Sequence, residues 1–158
     1  GGGDDQVVQR AVYQLVQELL NRKHEVVFFP VCPEDFIYCG HIAKKFYGRV
    51  KVFKDYLDRK KVLQFMHSCK AFVGEKLHSI VMACCANTPV LMLEYDPKCL
   101  DFMRSMELEE FNIRTDELSN ERLFSLFDKL LSRHEEYQER IWSRALILRG
   151  VLIRSFKF

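Results

Sequence analysis

Five short apolar runs, each followed by a segment of helical periodicity, constrain the fold of this chain more than any other feature. The runs are EVVFFPV, VKVF (Val50 to Phe53), AFVG (Ala71 to Gly74), PVLMLEY (Pro89 to Tyr95) and FNIR. Their β-branched and aromatic residues suit strands, and they are too short for stable helices. EVVFFPV has no polar alternation, so it reads as a strand buried on both faces.

The segments around them read as helices. Asp5 to Asn21 places Val8, Val12, Leu15, Val16, Leu19 and Leu20 at helical spacing. Phe36 to Phe46 follows the first strand and ends near Gly48. Asp58 to Cys69 has Asp58 as a cap. His78 to Asn87 has small Ala83 and Ala86 on its packed side. Pro97 to Met106 has Asp96 as N-cap and Pro97 at the first helical position. Ser119 to Leu131 starts with Ser119 and Arg122, and a last helix from His134 to about Arg154 breaks up near Gly150. Alternating strands and helices predict an α/β fold with one parallel, doubly wound, Rossmann-like sheet over residues 1–158. Gly1 to Gly3 are set aside as an expression scar.

Composition narrows the function. Of 158 residues, 48% are apolar, and the net charge is +2 with acids and bases interspersed. That is a globular composition, without the basic surface of a nucleic-acid partner or a polybasic membrane anchor. No apolar run approaches a membrane span, and no signal peptide is visible. The six cysteines form no C-x-x-C pair and no zinc spacing. They read as buried free thiols in a reducing, cytoplasmic compartment. G-x-G-x-x-G, Walker and G-x-S-x-G motifs are absent, so no cofactor and no metal are expected.

Ligands of open parallel sheets bind outside the carboxyl ends of the strands. The loop GEKLHS, Gly74 to Ser79, is the most informative of those ends. Gly74 lets a ligand or backbone approach closely. Lys76 and His78 flank Leu77, which is expected to be the buried anchor. The following helix offers N–H groups and a positive dipole end to a phosphate or carboxylate. The plain alternative is that His78 caps the helix and Lys76 is solvated. EYDPK repeats the geometry one strand along, with Glu94, Tyr95, Asp96 and Lys98. Asp96 also has an ordinary role as a cap. CPED is weaker, since Asp35 reads equally as an N-cap.

The stretch FVGEKLHSIVMACCANTPVLMLEYDPKCLDFM, followed by FNIRTDELS, resembles the polysaccharide pyruvyl transferase family. A strand, a Gly, a basic-Leu-His triplet, a small-residue helix, a Pro-Val turn and a strand ending in a Tyr-x-Pro-Lys segment occur in the family's order. The resemblance implies transfer of a pyruvyl group from phosphoenolpyruvate to a sugar of a cell-surface polysaccharide, as a ketal. It implies the C-terminal domain of a two-domain architecture like that of the GT-B glycosyltransferases. Lys76, Leu77 and His78 then hold the anionic donor, with Gly74, Ser79, Tyr95 and Lys98 around it and His78 nearest the chemistry. Many members have Arg where this chain has Lys76, which lacks the planar fork for a carboxylate.

The implied partners are phosphoenolpyruvate, a saccharide or lipid-linked saccharide acceptor, and an N-terminal domain preceding Gly1. The chain alone is therefore expected to be inactive, and the full enzyme to be cytoplasmic or peripheral to the inner face of the membrane. Two other readings stand beside this one: a sugar-nucleotide glycosyltransferase domain using Glu94 or Asp96 on the ribose, and a non-catalytic interaction domain. The last helix carries Trp142, Leu146, Ile147, Leu148, Val151 and Leu152 on more than one face, which predicts a homodimer contact or burial against its own sheet.

Overall fold

A computed structural model describes residues 2–155 of the chain, with side chains over residues 5–148. It consists of two compact units, one up to Gln64 and one from Phe65 onward. All strand pairs are parallel, and they form two small sheets rather than the single sheet expected. The architecture is α/β and compatible with a Rossmann-like fold.

In the first unit, α1 (Gly2–Asn21) precedes β1 (Val26–Phe28), α2 (Pro33–Lys44) and β2 (Val50–Val52). β1 pairs with β2 in the register Val26↔Val50. Val16, Leu20, Ala43, Phe46 and Val50 form its core, and the Tyr13 ring lies 4.8 Å from that of Phe46. β1 is only half-buried, which corrects the expectation of burial on both faces. Among the described residues it has one hydrogen-bonded neighbour strand. α2 begins at Pro33, three residues earlier than expected, because proline's fixed φ suits the first helical position. Gly48 supplies a positive φ (79°) in the turn after α2.

α3 (Arg59–Ser68) starts where Asp58 Oδ1 accepts from the Lys61 N–H at 3.2 Å, as expected of a cap. The second unit then contains β3 (Phe72–Gly74), α4 (Leu77–Cys85), β4 (Val90–Glu94), α5 (Pro97–Ser105), β5 (Asn112–Arg114), α6 (Asn120–Ser132) and α7 (His134–Ser155). Its sheet has the order β3-β4-β5. β4 is the strand buried on both faces, with Val90 to Leu93 inaccessible. The weak FNIR strand is real over its last three residues, Asn112 to Arg114, which pair with Met92 to Glu94.

Helix starts follow the sequence signals. Asp96 accepts from the Lys98 N–H at 2.9 Å with Pro97 next, and Ser119 Oγ accepts from the Arg122 N–H at 3.2 Å. Helix ends do not. Lys23, Asn87 and Glu107 take positive φ after α1, α4 and α5. At each, two amides bond back into the last turn, as in Thr88 N–H to Ala83 O and Asn87 N–H to Cys84 O, both 3.0 Å. These are Schellman endings built without glycine.

α7 continues through Gly150 instead of breaking there. Its first half is anchored by Tyr137, edge-on to Phe111 at 4.7 Å, and by two arginines. Arg140 and Arg144 donate to the carbonyls of Glu107 and Ser105, both at 3.0 Å, which satisfies the carboxyl end of α5. Tyr137 and Ile141 are buried, whereas Trp142 (60%), Leu146 (51%) and Ile147 (50%) are exposed. The side chains of Val151 and Leu152 lie outside the described ones. No helix among the described residues is long and apolar enough to cross a membrane.

No disulfide links the described cysteines. Only Cys84 and Cys99 are buried, and Cys85 is exposed, which corrects the reading of all six as buried. Adjacent helical positions face about 100° apart, so Cys84 and Cys85 cannot share one inner face. Burial, and secondarily the neighbouring Cys85 thiol, pushes the Cys84 thiol up to about 12. Burial also raises Cys99.

Candidate functional site

Gly74, Glu94 and Arg114 are the last residues of β3, β4 and β5, so the expected site segments sit at one end of one sheet. β3 and β4 are hydrogen-bonded neighbours, in the register Gly74↔Met92. GEKLHS and EYDPK therefore leave adjacent parallel strands at the same end, as the repeated geometry in the sequence implied. Asp35 belongs to the first unit. It is the third residue of α2, not its N-cap, and its Oδ2 accepts from the Val31 N–H at 3.2 Å. Pro33 draws the helix start forward to Cys32, so Asp35 falls inside the first turn and reaches back.

The GEKLHS turn is built around Gly74. A Cβ there would meet Phe72 Cε1 at 2.9 Å, Ser79 Oγ at 3.0 Å and Ile80 Cδ1 at 3.2 Å. What approaches Gly74 closely is thus the first turn of α4 itself. Ser79 is buried, and its hydroxyl donates to the Lys76 carbonyl at 2.7 Å, with the Ser79 N–H on the same oxygen at 3.1 Å. Ser79 therefore shapes the turn and has no hydroxyl to spare for a ligand.

Leu77 is not the buried anchor. It is half-buried at the rim, while Ser79, Ile80, Ala83 and Cys84 form the inner face of α4. Ile80 and Ala83 are fully inaccessible, so the anchor is Ile80, three positions later and one helical turn deeper. His78 lies on the opposite, exposed side of the first turn and makes no hydrogen bond or ion pair with any described residue. Lys76 occupies the N-cap position with extended backbone (φ −92°, ψ 124°), and its own side chain makes no capping hydrogen bond. α4 therefore differs from α5 and α6, whose amides are served by Asp96 and Ser119.

The EYDPK turn is more self-contained. Asp96 binds the Lys98 N–H through Oδ1, and its Oδ2 lies 3.9 Å from the Lys98 ammonium. Tyr95 and Lys98 are exposed. Glu94 is half-buried, and its Oε2 accepts from Asn112 Nδ2 on the neighbouring strand. Asn112 was not singled out by the sequence. It stands 18 residues from Glu94, and no local pattern marks such a pair.

Strand, basic-Leu-His turn, small-residue helix and second strand follow one another along this end of the sheet. A family described as polysaccharide pyruvyl transferase matches residues 2–97 of the chain. The chain belongs to the polysaccharide pyruvyl transferase family. The match spans the first unit and β3, α4 and β4 of the second, including the whole GEKLHS turn. It stops at Pro97, so the likeness noted for Lys98 to Glu117 lies beyond the matched residues. Comparison with curated proteins and comparison with solved structures give no match. The family is one of transferases acting in polysaccharide biosynthesis.

Proposed function

We propose that the open end of α4 is the anion-binding part of a pyruvyl transfer site, with phosphoenolpyruvate as donor and a polysaccharide sugar as acceptor. One observation carries this reading. The α4 N-terminus, at the carboxyl end of β3, has at its N-cap position an ammonium-bearing residue whose side chain makes no capping bond, and in its first turn an exposed imidazole. A helix start left uncapped beside cationic groups suits a phosphate or carboxylate. Phosphoenolpyruvate carries both.

Ketal formation joins two acceptor oxygens to the enol carbon and breaks that carbon's bond to phosphate. Of the two hydroxyl protons displaced, one ends on the former methylene, making a methyl group, and the other leaves on phosphate. His78 is the group placed to move a proton or to hold the departing phosphate. Lys76 and Lys98 balance the donor's charge, and Tyr95 is a further polar group of the EYDPK turn. Gly74, Leu77 and Ser79 act through the shape of the turn.

Residue-resolved NMR titration with phosphoenolpyruvate tests the reading. Shifts at Gly74 to Ser79 that Lys76→Ala abolishes are expected. Shifts only with uridine sugar nucleotides would move the site to glycosyl transfer. No response to either ligand would favour an interaction domain over a donor site.

A further inference from the structure

We infer that Asn112 is a positioning residue that fixes Glu94 as a carboxylate for the hydroxyl groups of the saccharide acceptor. The inference rests on the reading above, that the carboxyl ends of β3 and β4 form the transfer site.

The sheet register places the pair. Gly74, Met92 and Asn112 lie in one row across β3, β4 and β5. Side chains alternate along a strand, so Glu94 stands one row further out on the same face. That is the face against which the first turn of α4 packs, since a Cβ on Gly74 would point at Ser79 and Ile80. Glu94 is therefore on the α4 side of the sheet and at its open end.

Asn112 is a poor residue for stability alone. It is only 7% exposed, and its Oδ1 is buried with no hydrogen-bond partner. An unpaired buried acceptor costs about 1–3 kcal/mol, which an apolar side chain of similar size would avoid. Its one strong interaction is the hydrogen bond to Glu94. Among the described residues no other group holds that carboxylate. Arg114, its register partner on β5, directs its guanidinium to Asp116 at 2.8 Å. Glu94 Oε1 is left without a partner among the described residues.

The chemistry of the free oxygen selects its ligand. A carboxylate beside a site for a multiply charged anion repels the donor, but it accepts strongly from a neutral hydroxyl. A sugar is a set of such hydroxyls. With Oε2 tied to Asn112, Oε1 is oriented toward one of them.

The test is a pair of NMR titrations on the labelled chain, one with methyl galactoside and methyl mannoside to tens of millimolar, the other with phosphoenolpyruvate. Glycoside shifts centred on Glu94 and the Asn112 side-chain amide are expected. Glu94→Gln, which keeps an acceptor for Asn112, should weaken glycoside binding by about tenfold or more, the loss of one charge-assisted hydrogen bond. It should leave the phosphoenolpyruvate response in place, at equal or tighter affinity, since a negative charge beside the anion site is removed. Asn112→Ser should weaken glycoside binding comparably. If it lowers stability while glycoside affinity stays as in the wild type, the positioning role is overturned. Glycoside shifts that are absent, or unaltered in Glu94→Gln, overturn the carboxylate role. Loss of the phosphoenolpyruvate response alone, with glycoside binding intact, instead refutes the donor reading.

Discussion

Gly74→Ala isolates the packing on which the GEKLHS turn depends. The added methyl would lie 2.9 Å from Phe72 Cε1, 3.0 Å from Ser79 Oγ and 3.2 Å from Ile80 Cδ1. Carbon contacts are optimal at about 3.5–4.0 Å, so several tenths of an ångström must be found at each neighbour. None can give cheaply. Phe72 and Ile80 are buried, and Ser79 Oγ is held by the Lys76 carbonyl at 2.7 Å. Overpacking of this kind costs about 1–3 kcal/mol. The lower entropy of the unfolded alanine chain offsets about 0.4–1 kcal/mol of that. A net loss of about 1–2 kcal/mol follows, read as a fall in urea midpoint of roughly 0.5–1 M by far-ultraviolet circular dichroism.

Gly40→Ala is the internal control. Gly40 lies inside α2, and a Cβ there meets nothing within 4 Å. The same chemical change should stabilise the chain by about 0.5–1 kcal/mol. Opposite signs at the two glycines are the expected result. A Gly74→Ala chain as stable as wild type, with unchanged resonances at Ser79 and Ile80, would refute the argument that α4 needs the bare backbone.

Three further outcomes follow from particular contacts. Asp96→Ala should cost about 0.5–2 kcal/mol in thermal unfolding, because the Lys98 amide loses its acceptor; Lys98→Ala should be nearly silent, since its ion pair is long and exposed. The Cys84 thiol stays protonated in the folded chain up to about 12, against an ordinary value of 9.0. Its contribution is complete below pH 9.0 and is lost as pH rises toward 12, at a slope of up to about 1.4 kcal/mol per pH unit; Cys84→Ala should flatten alkaline unfolding in that window by the same amount. Finally, exposed Trp142, Leu146 and Ile147 on α7 favour self-association. Sedimentation should give a concentration-dependent mass that Leu146→Glu reduces to the monomer, and a constant monomer mass for the wild type would count against that contact.

The sequence carried its strand positions and helix starts because those signals are local. Asp96-Pro97, Ser119 and the apolar runs each act within a few residues of where they are read. What it did not carry is set by partners far along the chain or by context. Lys23, Asn87 and Glu107 end their helices in the left-handed region without glycine, at a cost near 1 kcal/mol each, which the two returning amides at each end offset. Leu77 and Ile80 are both apolar, and in a helix of nine residues only the strand beneath decides which of them is inward. The Glu94–Asn112 pair is invisible to any local rule, because it exists only once β5 lies beside β4.

That division bears on the chemistry of the family. The basic-Leu-His turn is a local motif, written in consecutive residues at the start of one helix, and under the proposed function it serves the part of the reaction that is the same for every acceptor, capture of an anionic donor. Recognition of a particular sugar needs groups from several strands held at fixed distances, and such groups are assembled by the fold. On the inference above, Glu94 and Asn112 are such a pair: one end-of-strand carboxylate, bonded to a buried amide whose other atom has no partner among the described residues. If acceptor specificity is written in this layer, exchange of Glu94 and Asn112 should alter which glycoside binds without weakening phosphoenolpyruvate binding. Exchange of Lys76 should do the reverse. A double-mutant cycle across Lys76 and Glu94 should then be additive within about 0.5 kcal/mol, because the two groups serve different ligands.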